Sequence, residues 1–210
     1  MGTTDVRMGI LPVTVLGLAM LAGPLTSAGS PAVAGYDFKG LELGAPTTAA
    51  EVQDRLNTPC VNVVGGACDA LDAKLHEQQS IRCGLGSEGM TVCNGVTTVV
   101  GAVSRVTLVI SAEGLLQRVM VSEFDADQFD AVFAELQRKF GRPKTVSKPV
   151  LENGFGARFQ QVQATWTDSQ RRQVTVWKYS GTSNESCLYF GTLQDQQLMN
   201  RLNQGTKGDL

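Results

Sequence analysis

The chain has 210 residues, of which 42% are hydrophobic and 18% charged, and its formal net charge is −2. This length suits one domain or two small ones, and the apolar content is ordinary for a globular protein. A nucleic-acid surface needs clustered basic charge, and the charge of this chain is nearly balanced, so no nucleic-acid partner is expected.

Residues 1–34 have the pattern of a signal peptide. Arg7 provides the positive charge, residues 10–22 form a short apolar segment, and residues 32–34 fit a cleavage site, with cleavage after Ala28 as the alternative. The apolar segment is too short to cross a bilayer, no later segment is apolar for long enough, and no lipoprotein cysteine follows it. The expected mature protein is periplasmic or secreted, without an integral membrane span.

Five cysteines follow the signal peptide: Cys60, Cys68, Cys83, Cys93 and Cys187. Disulfides persist in oxidising compartments, so export favours disulfide bonds, and the odd number leaves at least one thiol free or paired between chains. The glycine-rich segment between Cys83 and Cys93 predicts that these two pair, with Cys60–Cys68 as a companion; pairing of Cys60 with Cys83 or Cys93 is the alternative. Neither a metal nor a cofactor is expected, because C-x-x-C is absent and His76 is the only histidine.

The first predicted elements after the signal peptide are a short strand and a short helix. Residues 36–43 predict the strand, which ends at Gly44. Thr48 and Glu51 form a capping-box pattern at the start of a helix over residues 49–56. The segment that follows shows little regular periodicity.

Strand, turn, strand and helix are predicted in succession over residues 105–143. β-branched residues predict a strand at residues 105–110, and residues 115–124 predict the returning strand. Together with a strand at residues 96–100, they form a three-stranded antiparallel meander.

A helix is predicted to follow this meander. Asp125 is expected to cap its start, and Gly141 its end, because glycine readily adopts a positive φ. Apolar side chains recur at spacings of three and four: Phe129, Val132, Phe133, Leu136 and Phe140. This periodicity predicts a helix that packs one face against the sheet.

The rest of the chain returns to strands and ends in a helix. Strands are predicted at residues 145–151, 158–167, 173–179 and 186–190. Thr192 is expected to cap the last helix, and residues 204–210 form a tail. A helix followed by an antiparallel meander thus occurs twice in tandem, in residues 35–124, which contain the disulfides, and in residues 125–203. The predicted fold class is α+β.

Two short motifs resemble those of bacterial envelope proteins. Gly40-Leu-Glu-Leu-Gly44 followed by Thr48-x-x-Glu51-Val52 resembles the opening of small proteins of the SmpA/OmlA outer-membrane-assembly type. The helix at residues 129–140 with Gly141-Arg-Pro143 is similar to an element of uncharacterised periplasmic proteins. The doubled helix-plus-sheet plan is similar to the β-lactamase-inhibitor-protein fold. This resemblance implies binding rather than catalysis and assigns no functional residue.

The sequence is compatible with three functions. The preferred prediction is a non-catalytic binding or inhibitory module of the bacterial envelope, with another envelope protein as its partner. The second is a small hydrolase, for which no G-x-S-x-G elbow is present and His76 is the one candidate base. The third is binding of an anion or the membrane surface by cations near one helix C-terminus: Arg138, Lys139, Arg142, Lys144 and Lys148.

Two aromatic residues are the predicted partner surface. In the strand at residues 173–179, Val174 and Val176 suit the core, and side chains alternate between the two faces of a strand. Trp177 and Tyr179 then point to the opposite face, where they are exposed unless another part of the chain covers them. Since Trp and Tyr combine a large area with a polar group, this pair is the candidate surface for a partner or a second copy.

Overall fold

The computed structural model describes residues 35–57, 77–181 and 184–205. The predicted signal peptide, Cys60, Cys68 and His76 lie outside the described residues. Within the described ranges, none of the helices combines the length and the hydropathy that a membrane span needs.

Most of the described chain consists of strands joined by turns. The strands are β1 Asp37–Phe38, β2 Leu41–Glu42, β3 Arg82–Leu85, β4 Thr91–Val99, β5 Ala102–Ile110, β6 Leu116–Asp125, β7 Thr145–Ser147, β8 Val150–Glu152, β9 Arg158–Gln160, β10 Gln163–Thr167, β11 Gln173–Trp177 and β12 Glu185–Gly191. The helices are α1 Ala49–Leu56, α2 Phe129–Phe140 and α3 Leu193–Gly205.

Eight of these strands form one antiparallel sheet in the order β3-β4-β5-β6-β12-β11-β10-β7. The last strand along the chain, β12, lies in the middle of the sheet and pairs with β6 on one side and β11 on the other. The other strands form two separate hairpins, β1–β2 and β8–β9.

The predicted fold class, an α+β chain with two tandem helix-plus-meander halves, is wrong. The protein is mostly β, and strands from both predicted halves share a single eight-stranded sheet. The pairing of β12 with β6 joins the two halves directly. Alternation along a strand indicates which residues share a face, but it does not identify the distant strand that pairs with it.

One face of the sheet, called the core face, packs against α1, α2 and the hairpin β1–β2. Its central strands contribute buried side chains: Val119, Val121, Ala164, Trp166, Val174, Val176, Leu188 and Phe190. The pairing of Ala164 with Val176 and of Trp166 with Val174 confirms the predicted facing of these two strands.

Helix α2 confirms the predicted stripe. Phe129, Val132 and Leu136 are buried, and Phe133 and Phe140 are partly buried against the same core. The helix ends at a left-handed glycine, Gly141, with a φ of 77°, as predicted. Helix α1 has the predicted bounds, and its N-cap Thr48 accepts a hydrogen bond from the backbone N–H of Glu51 at 3.2 Å.

The predicted strand at residues 36–43 is instead the hairpin β1–β2. Its two-residue turn places Lys39 and Gly40 at positive φ values of 50° and 80°. The predicted strand at residues 158–167 is interrupted between β9 and β10, where the side chain of Gln161 accepts a hydrogen bond from the backbone N–H of Val162 at 3.0 Å.

The predicted disulfide between Cys83 and Cys93 is confirmed. The two residues lie directly opposite each other on β3 and β4, so the bond crosslinks one edge of the sheet. Cys187 is a free, buried cysteine on β12.

Candidate binding groove on the second face of the sheet

The second face of the sheet, opposite the core face, is rich in polar uncharged groups. Cross-strand register on β10, β11 and β12 places these residues on it: Gln163, Thr165, Gln173, Thr175, Trp177 and Tyr189. Thr165 and Thr175 are buried, and their hydroxyls lie 3.1 Å apart in a hydrogen bond. This face therefore offers hydrogen-bonding groups where the central strands of the core face offer mainly apolar side chains.

Helix α3 covers one part of the second face, against β6 and β12. Arg118 of β6 donates from Nη2 to Asp195 Oδ1 at 2.6 Å, and the Tyr189 hydroxyl donates to Asp195 Oδ2 at 2.6 Å. The Asp195 side chain is 2% exposed, so both bonds form away from bulk water. Burial and the bond to Asp195 raise the pKa of Tyr189, which keeps the phenol a donor. This network fixes the helix on the sheet.

The start of α3 is fixed by two further features. Thr192 confirms the predicted cap, since its hydroxyl oxygen accepts a hydrogen bond from the Asp195 backbone N–H at 3.2 Å. The Thr192 hydroxyl itself donates to the Gln117 side chain. A side chain at Gly191 would overlap the phenol of Tyr189, so a glycine is required where that ring crosses the strand.

A groove of about 290 Å³ runs between α3 and the neighbouring strands. It is lined by Met120, Gln163, Gln173, Thr175, Trp177, Tyr189, Gln196, Met199 and Asn200. None of these lining residues, all within the described part of the chain, is charged. The volume lies close to the lower end of the range for ligand pockets, about 300–1,000 Å³.

Several polar groups of the groove have no internal partner. Among the described residues, the side-chain amides of Gln163, Gln173 and Asn200 and the indole N–H of Trp177 form no hydrogen bond. Gln196 differs, because its side chain donates to the backbone carbonyls of Arg171 and Gly191 at 3.1 and 3.2 Å. The unpaired amides are therefore free to bond a ligand.

The two residues of the predicted partner surface lie in different surroundings. Trp177 is half-buried at the end of β11, where its ring lies 6.5 Å from that of Tyr189 beside the groove. Tyr179 lies beyond the end of the strand, and its ring is 5.9 Å from that of Phe159. The side chain of Gln161 also bonds the Tyr179 backbone through both its donor and its acceptor. Trp177 belongs to the groove, and Tyr179 packs near the β8–β9 hairpin.

The predicted cationic cluster is partly paired. Arg138 donates to Glu135 at 2.5 Å, and Lys139 donates to Asp37 at 2.8 Å. The other three cations, Arg142, Lys144 and Lys148, are exposed and form no ion pair within the described ranges. The uncompensated charge is therefore smaller than the sequence indicates.

The described part of the chain shows neither a candidate metal site nor an activated thiol. It contains no group of three or more His, Cys, Asp or Glu residues that could hold a metal ion. Burial raises the pKa of Cys187, so this thiol is protonated at neutral pH and is a poor nucleophile. Its sulfur lies 3.1 Å from that of Met120, next to the groove.

Comparisons of the chain with protein-family models, curated proteins and solved structures found no match. The resemblance to SmpA/OmlA-type proteins therefore rests on the sequence motifs alone. The likeness to the β-lactamase-inhibitor-protein fold was based on the doubled helix-plus-meander plan, which the single eight-stranded sheet replaces.

Proposed function

We propose that this protein is an exported, non-catalytic binding or inhibitory module that holds a short, uncharged segment of another envelope protein in the groove on its second face. The supporting observation is the composition of the groove. It combines Trp177 and two methionines, Met120 and Met199, with side-chain amides that have no internal partner.

The groove chemistry favours an extended peptide segment. Amide side chains both donate and accept, so Gln163 and Gln173 can bond the N–H and C=O groups of a peptide backbone. Methionine side chains are flexible and adapt to apolar side chains of different shapes, so Met120 and Met199 can pack against an apolar residue of the peptide. Trp, Tyr and Met are enriched at the centres of protein interfaces, where charged residues are depleted.

The disulfide between Cys83 and Cys93 supports export, because such bonds persist in oxidising compartments. N-terminal sequencing of the protein isolated from its host tests this part of the proposal. We expect a mature chain that begins after Ala34, or after Ala28, with the Cys83 and Cys93 thiols resistant to alkylation. A chain that retains Met1 with both thiols free would contradict export.

Site-specific photo-cross-linking in the native host tests the binding groove. A photo-reactive residue at the exposed Asn200, on the groove edge, is expected to form an adduct with one partner protein. Gln173→Glu adds a charge without changing side-chain size, so it is expected to abolish the adduct. The matched control is Gln160→Glu, at an exposed position on β9 that does not line the groove.

The identity of the adduct decides the class of partner. Mapping it to an uncharged peptide segment supports the proposal, and calorimetry with the synthetic peptide should then show weaker binding for Gln173→Glu only. An adduct with a glycan, or one that persists in Gln173→Glu, contradicts the proposal. An adduct with a second copy of this chain, together with a dimer in sedimentation, would show that the groove mediates self-association and does not bind an envelope partner.

A further inference from the structure

A second pocket lies on the core-face side of the sheet, away from the groove. It is formed by the hairpin β1–β2, helix α2 and the turn between β4 and β5, and its volume is about 320 Å³. This value again lies at the lower end of the range for ligand pockets, about 300–1,000 Å³. The pocket therefore suits a small ligand rather than a protein segment.

The inner wall of this pocket is apolar and rigid. It is built by five core side chains, Phe38, Val132, Leu136, Leu188 and Phe190. The rings of Phe38 and Phe190 meet edge to face, with centroids 5.8 Å apart, and both side chains are almost fully buried. Because tightly packed aromatic pairs hold their geometry, the apolar wall exists before any ligand arrives.

The rim of the pocket has one uncompensated charge. The Asp37 carboxylate is paired with Lys139 at 2.8 Å, and the Glu135 carboxylate with Arg138 at 2.5 Å. Lys39, also on the rim, forms no ion pair or hydrogen bond within the described ranges. Partial burial lowers the pKa of Lys39, so its ammonium group gains from an anionic partner.

Two tight turns place unusual residues on this rim. Lys39 in the β1–β2 turn and Val100 in the β4–β5 turn have positive φ values of 50° and 51°. Two-residue hairpin turns normally have Asn, Asp or Gly at such positions, and a positive φ is a marked outlier for a β-branched residue. Strained residues of this kind cluster at ligand sites, where their side chains are needed.

We propose that this pocket binds a medium-length fatty carboxylate, with the alkyl chain against the apolar wall and the carboxylate on Lys39. The apolar wall favours a ligand with an alkyl chain. The single unpaired ammonium group favours an anionic head group over a neutral or cationic one. The limited volume accounts for a medium-length chain. This site is separate from the peptide groove, so the two proposals can fail independently.

Titration calorimetry with decanoate, below its micelle concentration, tests the proposal on the purified mature protein. Decanol and decyltrimethylammonium are the neutral and cationic comparators. Lys39→Asn removes the charge and suits the left-handed turn, since Asn tolerates a positive φ. It is expected to weaken decanoate binding by roughly ten-fold, the scale of one charge-assisted hydrogen bond, and to leave decanol binding unchanged. The control is Lys148→Asn, at an exposed position outside the pocket.

A second variant tests the chain-binding part of the pocket. Val99→Trp, at a β4 position whose side chain lies on the core face and lines the pocket, is expected to fill it and to abolish binding of both decanoate and decanol. Thr145→Trp, exposed on the edge strand β7, is the matched control. The proposal is overturned if wild-type protein binds decanoate no better than the cationic comparator. It is also overturned if Lys39→Asn binds decanoate as tightly as wild type.

Discussion

The two faces of the sheet are covered in different ways. The core face is closed by two helices and a hairpin through mainly apolar contacts, among them the rings of Phe133 on α2 and Trp166 on β10, whose centroids lie 5.9 Å apart. The second face is crossed by one helix, α3, which is held through the polar network of Arg118, Asp195 and Tyr189. Close packing determines the position of α2, and directed hydrogen bonds determine that of α3.

This difference separates stability from recognition. Burial of apolar area is the main favourable contribution to folding, so the core face supplies most of the stability. A polar network contributes less net free energy but fixes a geometry, which a binding groove needs. Four tests examine this division, in order of the expected effect on stability.

The largest effect is expected for Phe129→Ala on the core face. Phe129 is 1% exposed, and removing such a ring leaves a cavity that costs about 3–5 kcal/mol in the free energy of unfolding. Urea denaturation measures the loss. The matched variant is Phe133→Ala, whose partly buried ring should cost less. Equal losses at both positions would show that the degree of burial does not determine how much each ring contributes to the free energy of unfolding.

A smaller loss is expected for Asp195→Ala on the second face. The substitution removes the acceptor of both Arg118 and Tyr189 and leaves the Arg118 charge uncompensated. Removing one partner of a fully buried ion pair costs about 3–5 kcal/mol, and we expect about 2–3 kcal/mol because the Arg118 side chain is 18% exposed.

The same variant should release α3 from the sheet. Hydrogen exchange is expected to increase in residues 193–205, while protection of α2 stays unchanged. Increased exchange in both helices would mean that the two faces are not independently held.

Alkaline pH provides a third comparison, since each face has a tyrosine with a raised pKa. Burial and, to a smaller extent, the nearby Asp168 raise the pKa of Tyr36 to about 12, and burial also raises that of Tyr189. In the unfolded chain a tyrosine ionises near pH 10, roughly its ordinary pKa. The folded state therefore holds more protons between about pH 10 and 12, and stability falls as pH rises through this range.

Urea midpoints at pH 8 and pH 11 measure this decrease. The contribution of Tyr36 alone should be smaller than the effect of Asp195→Ala, because pH 11 lies about one unit above the pKa of an unfolded tyrosine, which corresponds to about 1.4 kcal/mol for one group. Tyr36→Phe lacks the ionisable group and is expected to show a shallower decrease. If stability falls as steeply with pH in Tyr36→Phe as in wild type, groups other than Tyr36 cause the decrease.

The smallest effect on stability is expected for Trp177→Ala. Trp177 is half-buried and its ring contacts Tyr189 at 6.5 Å, so we expect a loss of about 1 kcal/mol. Binding of the cross-linked peptide should fall by roughly thirty-fold, as for an interface residue worth 2 kcal/mol. A large loss of stability without a loss of affinity would make Trp177 a structural residue.

Local patterns predicted the helices well, because caps and apolar stripes lie within one segment. Thr48 and Glu51 fixed the start of α1, and the spacing from Phe129 to Phe140 fixed α2. The hairpin β1–β2 also left a local signal that the single-strand prediction missed. Its apolar residues change from even to odd positions across Lys39 and Gly40, as a two-residue turn requires.

The groove was only partly predictable. Alternation on β11 placed Trp177 opposite the core residues, which is where it lies. Met120 and Met199 come from β6 and α3, and they reach the groove only because β12 is inserted beside β6. Such a long-range pairing leaves no periodicity in any one segment, so neither methionine could be assigned to the site in advance.

The central position of β12 has a kinetic consequence. Until residues 185–191 have been synthesised, β6 and β11 each lack a neighbour, and the sheet cannot close. Non-local strand pairing of this kind is slow, because the chain must first bring distant segments together. A nascent chain that completes its sheet last stays unfolded for longer, which is the state that a translocation channel threads. For an exported chain, as we propose this one to be, strand order would thereby delay folding until translocation is complete.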